Sequence, residues 1–210
     1  MSPKPRATRT LEGEARRFGF VHVAGVDEVG RGCLAGPVVA AAVVLPPNLR
    51  VSGIADSKAL TADRREALFD RIIRAALAWH VAFVDAADID RINILRASLL
   101  AMRRAVEALV PLPGFVLVDG HLVIPELLMP QRPVIGGDRR STAIAAASIL
   151  AKVTRDRWMT EAHARDPRYG FDNHKGYATP EHLRAVAEFG YSVLHRRTFR
   201  APSLFDTIQR

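Results

Sequence analysis

Residues 21–45 read VHVAGVDEVGRGCLAGPVVAAAVVL. Residues 21–26 favour an extended strand, and residues 37–45 form an apolar run too short for anything but a buried strand. Between them lies a glycine-rich turn, residues 30–36, whose length and glycines fit an antiparallel pair. Pro46-Pro47 ends the second strand. Asp27 and Glu28 then stand at the end of the first strand, at the mouth of the hairpin.

Outward from this hairpin, helical and extended patterns alternate. Apolar residues at 68, 69, 72, 73, 76 and 77 make a helical stripe over residues 63–77, and residues 79–84 read as a third strand. Residues 92–109 carry apolar side chains at 92, 95, 99, 102, 106 and 109, an amphipathic helix closed by Pro111 and Pro113. Residues 115–118 form a short apolar strand, and Val134 and Ile135 mark a fifth. A long helix runs from Thr142 to about Ala164, with a first half so apolar that it must be buried. Thr179-Pro180 opens a last helix that Gly190 closes. A hairpin followed by strands alternating with helices predicts one α/β unit with a mixed sheet.

The chain has 210 residues, enough for a core without disulfide staples, and 49% hydrophobic with 25% charged residues is ordinary globular composition. Wholesale disorder, collagen-like repeats and a bare coiled coil are excluded, and no run reaches the roughly 18 apolar residues of a membrane helix. Cys33 is the lone cysteine, so neither an internal disulfide nor a cysteine-built zinc site is available, and a cytoplasmic location is expected. Thirty basic against 22 acidic residues give a net charge of +8 and a sequence pI near 10.5. That balance points to a polyanionic partner, although 26 of the 30 basic residues are Arg, which a genome's composition can also produce. Residues 1–20 hold five basic and two acidic residues without an apolar core, so they are expected to be a basic flexible tail rather than a signal peptide.

The chemistry-bearing residues gather at strand ends. Besides Asp27 and Glu28, Asp119 follows the apolar strand directly, and Asp138 follows Gly136-Gly137 after the fifth strand. A single such Asp is commonly a turn or cap residue. Several acids ending separate apolar strands are costly unless cations meet them, and carboxylates without a Cys or His set favour Mg²⁺ or Mn²⁺. Neighbouring residues of a regular strand face opposite ways, so Asp27 and Glu28 can share a site only where the strand ends or bulges. Gly30-Arg31-Gly32 can bring backbone N–H groups close to a phosphate or sugar, though glycines serve plain turns as well. Three of the four lysines, Lys58, Lys152 and Lys175, fall in these marked segments, and Lys suits single phosphate contacts. His174-Lys175-Gly176-Tyr177 sets charge beside an aromatic ring, and His195-Arg196-Arg197 opens a basic cluster that either holds phosphates or is simply solvated.

Taken together these segments resemble the ribonuclease HII family. The match runs through Gly25-Val26-Asp27-Glu28-Val29-Gly30-Arg31-Gly32, Ala35-Gly36-Pro37-Val38-Val39, Asp56-Ser57-Lys58, Val118-Asp119-Gly120 and Gly137-Asp138. It continues through Ala145 to Asp156, His174-Lys175-Gly176-Tyr177, Thr179, His182 and His195-Arg196-Arg197. The resemblance implies a ribonuclease H-like fold, a five-stranded mixed sheet flanked by helices with a C-terminal helical extension. It divides the chain into the tail, a catalytic domain over residues 21–168 and a substrate-binding extension over residues 169–210. It implies cleavage of RNA in RNA–DNA hybrids, and nicking 5′ of single ribonucleotides in duplex DNA during ribonucleotide excision repair, leaving 3′-hydroxyl and 5′-phosphate ends. Asp27, Glu28, Asp119 and Asp138 would be the catalytic, metal-binding acids of a two-metal centre. Gly30, Arg31 and Gly32 would sense the 2′-hydroxyl, and Tyr177 would stack on the next deoxyribose. Lys58, Lys152, Lys175, Arg196 and Arg197 would complete the substrate contacts of a monomer. His121 stands where the family more often has a polar amide. The competing readings are another metal nuclease of this fold, such as a resolvase or integrase, and a non-catalytic hybrid-binding module. The motif register speaks against the first and the four acids against the second.

Overall fold

The computed structural model describes residues 7–49, 53–54 and 61–199. Five strands form one mixed sheet: β1 (Val23–Val29), β2 (Val38–Val44), β3 (Ala78–Val84), β4 (Phe115–Asp119) and β5 (Gln131–Val134), in the spatial order β3-β2-β1-β4-β5. The glycine-rich turn joins β1 and β2 as the expected antiparallel pair, β3 extends it antiparallel, and β4 and β5 add on parallel to β1. The helices are α1 (Thr10–Arg17), α2 (Ala62–Ala75), α3 (Ala86–Ile92), α4 (Ile94–Glu107), α5 (Thr142–Arg165), α6 (Phe171–His174) and α7 (Pro180–Phe189).

The alternation of side chains along β1 and β2 sorts the core into two layers. Ala24, Val26, Val38, Ala40, Ala42 and Val44 pack with Ala97, Ala101, Met102 and Ala105 of α4 on one face. Ala41 and Val43 pack on the other face with Leu68, Phe69 and Ile72 of α2 and with residues 145–147 of α5. The apolar first half of α5 is buried as its composition demands. Its approach to the sheet is close: a Cβ on Gly25 would collide with the backbone of Ala143 and Ile144.

Four expectations need correction. The amphipathic stripe over residues 92–109 is not one helix but the end of α3 and all of α4. Asn93, at φ 69, leaves the helical region and caps α4 through a side-chain bond from Arg96 N–H at 3.1 Å. The fifth strand starts earlier than expected, at Gln131, and ends at Val134, leaving Ile135 outside it and exposed. Pro133 within it is tolerated because β5 is an edge strand. The basic tail is helical over Thr10–Arg17. Buried Glu12 accepts bonds from Ser141 Oγ and Ala143 N–H, both at 2.8 Å, and so joins α1 to the N-terminus of α5. Finally, β1 does not stop before Asp27: it pairs with β2 without interruption to Val29.

Candidate active site

The geometry of β1 and β4 explains how two neighbouring acids reach one place without a bulge. Asp27 follows the parity of Gly25 and faces α5, while Glu28 follows Ala24 and Val26 toward α4. In the parallel pair the register ends at Val26 opposite Val118, so Asp27 and Asp119 are the next residues of adjacent strands. Beyond that point β1 has no β4 partner beside it, and Glu28 rounds the open end of the sheet from the other face. Asp27, Glu28, Asp119 and Asp138 thus line one open cavity of about 380 Å³, with Arg65, Ser148 and Lys152 on its other walls.

Three of the acids are held by a local donor. Glu28 N–H donates to Asp27 Oδ1 at 2.8 Å, Arg31 Nη1 to Glu28 Oε1 at 3.1 Å, and Gly137 N–H to Asp119 Oδ1 at 2.6 Å. Asp138 sits buried in a 3₁₀ turn, Gly137–Arg139, which Gly136 enters with φ 61. Gly137 has no room for a side chain, since a Cβ would press on Ile144 and on Asp119 Oδ1. Burial raises the Asp27 carboxyl well above the ordinary range, and the negative charges of Asp119 and Glu28 add to the rise, against a hydrogen bond from Ser148. Burial also raises Glu28, opposed by Arg31. Ser148 is a site residue that the sequence reading did not single out. It lies inside the quoted helix motif, but its hydroxyl resembles any small helix residue until α5 is laid on β1.

These residues fit divalent cations. The donors are hard carboxylate oxygens, and Glu28 Oε2 is buried with no hydrogen-bond partner among the described residues. Among the described residues no three His, Cys, Asp or Glu form a ready-made cage. The acids rim an open cavity instead.

Beside the acids, two buried arginines shape the β1–β2 turn. Arg155 of α5 donates to the carbonyls of Pro37, Lys175 and Ala35 at 3.0, 2.8 and 3.1 Å. Arg196 donates to the carbonyls of Gly30 at 2.7 Å, Arg31 at 3.0 Å and Gly36 at 3.0 and 2.8 Å. Both guanidiniums are fully buried. Leu34 and Ala35 N–H in turn donate to the Gly176 carbonyl, so the turn and the 175–177 loop are stitched together. Turn carbonyls are drawn inward, and Arg31, which bonds Glu28, and Gly32 stay exposed, as does Tyr177 of the stitched loop.

Residues 24–201 match the family model described as Ribonuclease HII. The chain belongs to the ribonuclease HII family. The ribonuclease HII of Geobacter sp. (strain M21) is 58% identical over 189 residues, which cover 90% of this chain and 82% of the relative. That of Xanthomonas oryzae pv. oryzae (strain KACC10331 / KXO85) is 56% identical over 178 residues, covering 84% and 71%. The crystal structure of ribonuclease H2 from Pyrococcus horikoshii OT3 superposes with a TM-score of 0.73 at 28% identity, covering 85% of this chain and 94% of that one. The five-stranded mixed sheet flanked by helices is therefore the ribonuclease H-like fold, and the protein is a ribonuclease H enzyme.

Within this chain, the residues expected to meet substrate divide into groups. Arg31, Gly32 and Tyr177 are exposed, and Lys152 lines the cavity with its ammonium 2.7 Å from Asp156. Lys175 lies in the neighbouring groove between α2 and α5, bonded to Thr160 Oγ1 at 2.8 Å and the Asp172 carbonyl at 2.6 Å. Arg197 is exposed, and its N–H donates to Asp90. Lys58 falls outside the described residues. Arg196 is a correction: it is fully buried with its guanidinium spent on three carbonyls, so it holds the turn rather than a phosphate. Gly30 has a packing reason to be glycine: at φ 90 a Cβ there would meet the Arg155 side chain and the Pro37 carbonyl, whereas a Cβ on Gly32 would meet only open space. Among the described residues no helix is long and apolar enough to cross a membrane.

Proposed function

We propose that the protein cleaves the RNA strand of RNA–DNA hybrids and nicks 5′ of a single ribonucleotide in duplex DNA, leaving 3′-hydroxyl and 5′-phosphate ends. The observation that carries the reading is the convergence of Asp27, Glu28, Asp119 and Asp138 on one cavity, with Arg31 bonded to Glu28 and the β1–β2 turn stitched to the loop that carries exposed Tyr177. Mg²⁺ or Mn²⁺ held by those four acids would activate water, clamp the phosphate and neutralise the leaving oxygen.

The chain's own residues supply the selection. A 2′-hydroxyl is the one group that separates a ribonucleotide from its neighbours, so a reader must touch it. With the carbonyls of Gly30, Arg31 and Gly36 bound inward by Arg196, the turn presents its outer edge to the sugar. Tyr177 sets a flat ring against the following sugar, where a second 2′-hydroxyl would clash. The basic residues Lys152, Lys175 and Arg197 meet backbone phosphates and add charge but no sequence preference. Gel analysis of a duplex carrying one ribonucleotide, beside an all-DNA duplex, tests the reading in Mg²⁺ and in Mn²⁺. A single cut 5′ of the ribonucleotide is expected. Cutting of both duplexes, or of neither while the hybrid is cut, refutes it.

A further inference from the structure

The sequence resemblance placed His182 and His195 in register without giving them work. In the structure they form a chain whose protons are fixed from both ends. Ser192 N–H lies 3.0 Å from His195 Nδ1, and a backbone N–H only donates, so Nδ1 accepts. Ser192 Oγ, 2.8 Å from the same nitrogen, therefore donates too, while it accepts from Leu194 N–H at 3.2 Å. The His195 proton must then sit on Nε2, which faces His182 Nε2 at 3.0 Å. His182 Nε2 must accept, so its proton sits on Nδ1, which faces the Tyr177 carbonyl at 2.8 Å, a group that only accepts. His174 is separately satisfied, accepting from Gly176 N–H at 3.2 Å and donating to the Tyr169 carbonyl at 2.7 Å, with its ring stacked 4.3 Å from that of His182.

The rings are sealed. His182 and His195 are 0% and 2% exposed, and Phe171 and Tyr169 close around them. On its other side, the same loop is tied to the β1–β2 turn by the bonds from Leu34 and Ala35 to the Gly176 carbonyl. The Tyr177 backbone is thus gripped before and after the residue, while its ring stands exposed.

We propose that Ser192, His195 and His182 are positioning residues: their donor chain, together with Thr179 N–H at 2.8 Å, fixes the carbonyl of Tyr177 and thereby the pose in which its ring meets the sugar after the ribonucleotide. The inference rests on the reading of Tyr177 given above. A merely packed aromatic cluster needs buried rings but no particular tautomers, and a chain ending on the Tyr177 carbonyl needs both.

Three measurements test it. Long-range ¹H–¹⁵N NMR of the full chain near neutral pH is expected to show His182 as the Nδ1–H tautomer and His195 as the Nε2–H tautomer. Opposite tautomers, or imidazolium at either ring, overturn the proposal without any variant. Cleavage is then compared on a duplex with one ribonucleotide and on a continuous hybrid. His182→Leu is expected to lose at least about tenfold more kcat/KM on the first substrate than on the second. His182→Asn, whose amide can place an N–H where Nδ1 stood, is expected to recover most of that ratio, and Ser192→Ala to lower it in the same direction. If His182→Leu does not fold, the other two variants decide. Equal losses on the two substrates, with Tyr177→Ala still selective, overturn this inference alone. Equal losses for Tyr177→Ala overturn the reading of the tyrosine itself and the inference with it.

Discussion

Replacing Arg196 by Met tests whether this arginine builds the turn or binds nucleic acid. Methionine keeps most of the length and the apolar stem. What disappears is the set of donors to the Gly30, Arg31 and Gly36 carbonyls. A buried acceptor deprived of its donor costs about 1–3 kcal/mol, so three give about 3–9 kcal/mol. Part of this is offset because a charge need no longer be buried, a cost visible in the Arg196 guanidinium, which burial draws down to about 10. The net loss expected is about 3–5 kcal/mol, a large share of the 5–15 kcal/mol typical of a domain. Urea denaturation followed by circular dichroism reads the loss as a lower midpoint at unchanged slope. Arg196→Lys, which keeps the charge but not the planar fork, should fall between the two. A loss below about 1 kcal/mol, with substrate affinity reduced instead, would refute the clamp and return Arg196 to the phosphates.

Other outcomes follow from the same geometry. Asp27→Asn should reduce hybrid cleavage to background in Mg²⁺. The same variant should melt higher than the parent in EDTA, because burial and the charges of Asp119 and Glu28 disfavour ionised Asp27; a lower melting temperature would assign it a structural role. Gly25→Ala should cost about 3 kcal/mol or prevent folding, since its methyl meets the α5 backbone, and a neutral result in thermal melts would contradict the packing. His182 and His195 are drawn down to about 4, chiefly by burial. The unfolded chain therefore binds more protons between about pH 6.5 and 4, and stability should fall as pH drops through that window and level off below it, by about 3 kcal/mol for one such histidine. Urea midpoints in His182→Asn that keep the parent's pH slope would exclude this source. Substrate binding should weaken with salt by about 0.9 in log–log slope for each phosphate contact, and a flat plot from filter binding would detach the net charge of +8 from binding.

The hairpin of β1 and β2, the long buried helix α5 and the four acids were legible because each depends on local pattern: glycines between apolar runs, a stretch of small residues, carboxylates where strands give out. The family register marked Arg31, Gly32 and Tyr177, which the fold leaves exposed. Less legible was anything that depends on what a residue packs against. Nothing in residues 10–17 announces that Glu12 will reach the N-terminus of α5, because its partners Ser141 and Ala143 lie about 130 positions away. The basic run His195-Arg196-Arg197 looks uniform in sequence, yet the fold buries His195 and Arg196 and leaves Arg197 outside.

Alone, the sequence determined the mixed α/β pattern, the hairpin and the family, since period, composition and motif order are properties of the chain itself. Tertiary structure alone decided which face each group meets. Asp27 and Glu28 share a cavity because β4 ends one residue beyond Val118 and lets Glu28 round the sheet. Gly30 is needed because Arg155 crosses behind it, and the tautomers of His182 and His195 are set by a backbone N–H and a backbone carbonyl at opposite ends of their chain. Burial, carbonyl direction and the proton on a ring nitrogen are relations between distant segments, and they exist only once the chain has folded.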